Sequence, residues 1–133
     1  MEKNYFVTIT GTKFYYGMKP FEIGRIIKLV KEPDNEHDSE AIRAELPFIG
    51  KIGYVSNSTH TVVKGTFSGG RVYDLFPEES FAQVLFVTNE SVICLLLLEE
   101  EENKEAEIKE EIVNGEVTHT RAIYEKGKMG FHI

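Results

Sequence analysis

Apolar and polar positions alternate along most of the first hundred residues with the two-residue period of strands. Tyr5-Phe6-Val7-Thr8-Ile9-Thr10 opens the pattern with aromatic and β-branched side chains that suit a pleated, half-buried surface. Arg25 to Val30 has the same character and stops at Glu32-Pro33, where proline restricts the residue before it. Ala41 to Leu46 alternates apolar and charged residues up to Pro47, and Lys51 to Val55 follows Gly50 as a short strand. Phe81–Val87 and Ser91–Leu98 flank Thr88-Asn89-Glu90, turn-forming chemistry between two apolar runs, which predicts a hairpin. The second run is apolar on both faces and is expected to be the most buried.

Helical signals are short. Asn57 or Ser58 is placed to cap a turn of helix through Val63, closed by Gly65, and Ser68 to cap another from Gly70 to Phe76 before Pro77. Six short strands at roughly 8–12-residue spacing, with two small helices between them, predict a small barrel or half-open barrel. No internal repeat interrupts the pattern.

After Leu98 the pattern breaks. Glu99-Glu100-Glu101-Glu102-Asn103-Lys104-Glu105 is a like-charge run, expected as a solvated linker or frayed helix. Lys104 to Val113 favours helix by propensity, yet Asn114-Gly115 between Ile112-Val113 and Glu116-Val117 is a two-residue hairpin signature. A hairpin from Glu110 to Tyr124 is the expectation. The chain thus divides into a β-rich domain at 1–98 and an acidic extension at 99–133.

Composition bounds this picture. The 133 residues are 41% hydrophobic with nine Phe and six Tyr, enough for one packed core. Met1-Glu2-Lys3-Asn4-Tyr5 lacks the apolar run of a secretory signal, and Val92 to Leu98 is too short to span a membrane. Cys94, the lone cysteine, has no partner for a disulfide and reads as a core side chain. A cytoplasmic location is expected. The net charge of -7 is uneven: residues 1–98 hold ten Lys/Arg against twelve Asp/Glu, and residues 99–133 hold five against ten. Within residues 1–31, six cations (Lys3, Lys13, Lys19, Arg25, Lys28, Lys31) face only Glu2 and Glu22, a local excess that suits either a solvated surface or a polyanion.

Catalytic and metal chemistry is sparse. His37, His60, His119 and His132 are scattered without zinc-site spacing, so no metal or other cofactor is expected. Thr66-Phe67-Ser68-Gly69-Gly70 misses a nucleophile elbow by the glycine required where Thr66 stands, and no phosphate loop is present. Pro33-Asp34-Asn35-Glu36-His37-Asp38-Ser39-Glu40 spaces acids like a calcium loop, but Ser39 replaces the required glycine and a strand follows. That cluster reads as a solvated loop with Asp and Asn bonding local backbone, or as a carboxylate acceptor for a hydroxyl proton. A binding module, not an enzyme, is expected. In Gly11-Thr12-Lys13-Phe14-Tyr15-Tyr16-Gly17, three successive aromatics on an extended chain cannot all face inward. One exposed beside Lys13 is the minimum of a base-stacking platform.

Gly11–Gly17, Lys31–Ile42 (KEPDNEHDSEAI) and Lys51–Asn57 (KIGYVSN) together resemble a HIRAN domain, and Lys64–Asp74 (KGTFSGGRVYD) is similar to stand-alone bacterial members. The resemblance covers about residues 5 to 98. It implies a mainly β fold: a small OB-like or SH3-like antiparallel barrel with about two short helices, here followed by the acidic extension. It also implies binding of a free single-stranded DNA 3′ end, in a repair or replication setting, as in members fused to fork-remodelling ATPases. By position, the resemblance puts the pocket at Lys13, Phe14, Asn35, His37, Asp38 and Tyr54. Asp38 would accept the terminal hydroxyl, Phe14 and His37 would stack on bases, and Lys13 would meet a phosphate. Phe14 and His37 stand where that pocket has tyrosines, and Lys13 where it has arginine, so stacking is kept better than hydrogen bonding and affinity is expected to be weak and salt-sensitive. The competing expectation is a protein-interaction module contacting a helicase or nuclease through exposed strand edges or the acidic tail. A third joins the two: Glu99–Glu102 folds onto the basic face and competes with DNA.

Overall fold

The computed structural model describes residues 3–98 and, as backbone alone, two further strands at 107–113 and 116–123. The alternating segments form six strands: β1 Phe6–Thr10, β2 Ile26–Glu32, β3 Ala41–Leu46, β4 Gly50–Val55, β5 Glu79–Val87 and β6 Val92–Leu97. Each lies within about two residues of the bounds that the period-two pattern sets. All neighbours are antiparallel and the ring closes, in the order β1-β4-β3-β2-β5-β6 and back to β1. Residues 3–98 are therefore a closed, mainly β, six-stranded barrel with one short α-helix among the described residues, and not a half-open barrel.

Alternation delivers one face of every strand to the interior. Val7, Ile9, Ile27, Leu29, Ile42, Ala44, Ile52, Val84, Val92 and Cys94 fill it and are sealed from solvent. β6 is apolar on both faces and both are used: Val92, Cys94 and Leu96 join the interior, while Leu97 packs with Ile26 and Phe81 in a second cluster beside Leu95. Burial pushes the Cys94 thiol up to about 12, because a thiolate there would have no water or cation. Cys94 is accordingly expected to stay unmodified by a thiol reagent in the native state and to react fully in denaturant, as read by thiol titration.

The helices are fewer than the sequence suggests. Of the two expected, only the second forms, as α1 Gly69–Val72 continued by a 3-10 turn Tyr73–Leu75, and it plugs the barrel with Val72 and Phe76. The segment from Asn57 to Val63 is a set of turns. Ser58 O accepts from both Thr61 N and Val62 N, but the next amide, Val63 N, bonds Thr8 Oγ1 on β1 at 3.2 Å. Thr59, Thr61, Val62 and Val63 are β-branched and resist a helix, so a bond to the barrel wins over one more helical turn.

That bond belongs to a larger seam. β1 meets β4 at Ile9↔Val55 and Thr10↔Tyr54, and beyond them Ser56 N donates to Thr8 O and Phe67 N to Phe6 O, both at 2.7 Å. An irregular segment thus finishes the β1 edge that β4 leaves open. Separately, β7 Glu107–Val113 and β8 Glu116–Ile123 pair antiparallel with Val113 opposite Glu116. The expected linker at 99–105 and Tyr124 lie outside the described residues. Among the described residues no helix is long and apolar enough to cross a membrane.

Candidate functional site

The outer face of β2, β3 and β4 carries the polar residues that alternation excludes from the core. Ladder pairing sets Arg43 beside Tyr54 and Glu45 beside Lys51. The register shifts between Ala44 and Glu45, leaving Ile52 as an extra residue in β4. In a regular strand Lys51 and Tyr54, three apart, would face opposite ways; the bulge turns both outward. Lys51 Nζ donates to the Tyr54 hydroxyl at 2.7 Å, and that hydroxyl donates to Glu32 Oε1 at 2.8 Å.

Glu32 organises this surface from the end of β2. Its Oε1 also accepts from Asn35 Nδ2 at 2.9 Å, and its Oε2 lies 3.4 Å from Lys51 Nζ and 3.5 Å from Arg43. Burial, the largest single influence, raises the Glu32 carboxyl, but Asn35, Tyr54 and Lys51 together outweigh it and hold the group below its usual value. Lys51 is raised, chiefly by its bond to Tyr54 and, against the opposing cost of burial, by Glu32. Tyr54 is raised by burial first, with Glu32 adding to it and Lys51 opposing. All three keep their ordinary charge states near neutrality, so the surface presents a cation beside a neutral phenol.

The 3-10 turn Thr12–Phe14 overhangs this surface from the end of β1. Because the chain is a turn there and not extended, all three aromatics reach solvent: Phe14 is 74% exposed, Tyr15 39% and Tyr16 50%. Tyr15 is the one that meets Tyr54, with ring centroids 6.5 Å apart, and Lys51 Nζ lies 5.8 Å and 4.9 Å from the two rings. Lys13 Nζ sits 5.3 Å over its neighbour Phe14 and has no carboxylate partner among the described residues. Gly53 makes the overhang possible. A Cβ there would come 2.9 Å from Ile9 Cγ2 and 3.0 Å from Thr10 O, so only glycine lets β4 run this close beneath β1 and the turn.

The loop after β2 is fixed by its own side chains. Asn35 Oδ1 accepts the backbone amides of His37 at 2.8 Å and Asp38 at 3.1 Å. Asp38 Oδ1 accepts from Glu40 N at 2.9 Å, and its Oδ2 accepts from Asn57 Nδ2 at 3.0 Å. Asn57 Oδ1 in turn accepts from Gly70 N at 2.7 Å, which ties the loop to the start of α1. Asp38 is half-buried, and each oxygen, with one donor apiece, keeps room for another. His37 is exposed.

The expected site residues therefore fall into three groups, the first two joined through Asn35. Tyr54 and Asn35 share Glu32, whereas Asp38 and His37 belong to the loop and Lys13 and Phe14 to the overhanging turn. Tyr15, Lys51, Glu32 and Asn57 were not marked by the sequence. Of the cations of residues 1–31, three are engaged locally: Arg25 pairs with Glu22, Lys28 with Glu79, and Lys31 Nζ bonds Phe76 O. Among the described residues no three His, Cys, Asp or Glu side chains come together to hold a metal ion.

The described residues thus form a closed barrel bearing a cation-flanked aromatic surface and an ordered polar loop. A family model described as the HIRAN domain matches residues 3–70. The chain belongs to the HIRAN domain family, a family of nucleic-acid-binding modules. Searches of curated proteins and of solved structures returned no significant match.

Proposed function

We propose that the protein binds the 3′-terminal segment of single-stranded DNA across the outer face of β3 and β4, at ends formed during repair or replication. The observation that carries this reading is the Tyr15–Tyr54 ring pair with Lys51 beside both rings, linked through Glu32 to the loop that carries Asp38. Bases have a π-face for every ring, and cations beside the rings meet phosphates without reading sequence. Phe14 and Lys13 extend the surface with a solvent-facing ring and an ammonium that has no carboxylate partner among the described residues. Asp38, held by donors on either side yet with spare acceptor capacity, suits a terminal hydroxyl. Arg43 and Lys51 are partly neutralised by Glu32 and Glu45, which keeps affinity modest and strongly dependent on salt.

The test compares oligonucleotides ending in a 3′-hydroxyl with the same sequences ending in a 3′-phosphate. The wild-type protein is expected to prefer the hydroxyl, and Asp38→Ala to lose that preference while retaining the fold by circular dichroism. Equal binding of both ends by the wild type would remove the terminus from the reading. Recognition of a protein partner by strand addition is not supported by this barrel, because its six strands close on themselves and offer no free edge.

A further inference from the structure

Beyond the ring pair, the β3–β4 turn holds a conformation that an aromatic residue seldom adopts. Phe48 has φ 72°, alone among the described non-glycine residues in lying at positive φ. Ile49 N donates to Pro47 O at 2.9 Å, closing a three-residue turn around Phe48. A γ-turn with positive φ is rare and strained, and a bulky side chain there is an outlier where glycine would sit freely. Burial does not offset the strain, for Phe48 is 80% exposed. Tyr16 reaches across from the overhanging turn, its hydroxyl donating to Ile49 O at 3.4 Å.

Strain held at an exposed ring, with no packing in return, points to a ligand. We propose that Phe48 is the outer stacking post of the single-strand track, receiving a base upstream of the terminus. This rests on the reading of the site as a single-strand surface and adds its direction and length. Tyr54 at the Glu32 end pairs with Tyr15, whose neighbour Tyr16 bonds this turn at Ile49, while Lys51 lies beside the first two rings and Lys13 over Phe14 of the same overhanging turn. The cations single out a polyanion over an apolar protein surface, which would gain nothing from ammonium groups beside its rings. β3 separates Phe48 from the Asp38 loop by six residues. At roughly 3.3 Å per residue that is about 20 Å, or about six bases stacked at ~3.4 Å.

The experiment measures binding of a trinucleotide and a dodecanucleotide, each with a free 3′-hydroxyl, to the wild type and to Phe48→Gly. Glycine keeps the positive φ and removes the ring, so the variant is expected to melt at a higher temperature than the wild type. Its affinity for the dodecanucleotide falls about tenfold, while trinucleotide affinity and the preference for a 3′-hydroxyl are unchanged. Unchanged dodecanucleotide binding, or equal loss on both lengths, overturns the proposal. A length-dependent loss in a protein that ignores the 3′ group would retain the post and discard the terminus pocket. The hydroxyl preference with a silent Phe48→Gly would do the reverse. Loss of self-association on substitution, with no effect on oligonucleotides, would assign the ring to a second copy of the chain and also overturn the proposal.

Discussion

Gly53→Ala is expected to destabilise the barrel by about 1–3 kcal/mol, the usual cost of forcing a methyl group into a filled space. The added Cβ would meet Ile9 Cγ2 at 2.9 Å and Thr10 O at 3.0 Å, with Thr12 Cγ2 at 3.4 Å. Thr10 O is backbone, so relief requires β1 and β4 to separate, and Ile9 is sealed in the core with little room to turn. Separation acts where Thr10 pairs with Tyr54 and beneath the turn that carries Tyr15. Loss of stability should therefore come with weaker oligonucleotide binding even below the melting range. Urea denaturation gives the first quantity and fluorescence anisotropy the second. An unchanged midpoint would show that the close approach of β4 to β1 is not a constraint on the fold.

Glu32→Ala is expected to cost about 2–3 kcal/mol near neutral pH, since it strands several donors around one carboxylate. The Tyr54 hydroxyl and Asn35 amide lose their acceptor, and Lys51 and Arg43 lose their nearest shared counter-charge. The Glu32 side chain is 15% exposed, so water does little to replace these bonds. The pH dependence has a definite sign. A carboxyl held below its ordinary value of 4.5 in the fold contributes fully above that value, and the contribution disappears as pH falls through the folded-state value. The stability gap between wild type and Glu32→Ala should be widest near neutrality and narrow on acidification. Denaturation curves at neutral pH and in acid read this directly; a gap that stays constant would assign the loss to packing alone.

Most of the barrel is visible in the sequence because period-two alternation reports a one-sided burial directly. The bounds of β3 follow from Ala41 and Pro47, and the β5–β6 hairpin from the polar break at Thr88-Asn89-Glu90. That the first expected helix does not form is not visible, because the capping residues before Val63 say nothing of Thr8, the partner across the chain that takes the amide of Val63. The site is legible only in part, for a related reason. The segments around Lys13, Asn35, Asp38 and Tyr54 announce the family, but strict alternation separates Lys51 from Tyr54, and only the register shift joins them. The resemblance marks Phe14 as a stacking ring, and the extended-chain argument asks for one exposed aromatic; the turn exposes all three and sets Tyr15, not Phe14, against Tyr54. Asn57 reads as a helix cap, yet its amide bridges Asp38 and Gly70 over long sequence separations that no local pattern encodes. Proline before Phe48 signals a turn, but nothing in the residue types announces positive φ at a phenylalanine.

The β1 edge, finished partly by β4 and partly by the irregular segment from Ser56 to Phe67, also sets how the ring comes undone. Elsewhere neighbouring strands zip along runs of successive residue pairs, whereas here short, mixed bonds hold the join. Amide protons at this join should exchange with solvent before those of β2 or β5, making it the hinge line from which the cylinder unrolls. Thr10 and Tyr54 sit on that line, so an occupant spanning Tyr15 and Tyr54 would act as a clasp, slowing exchange far from any atom it touches.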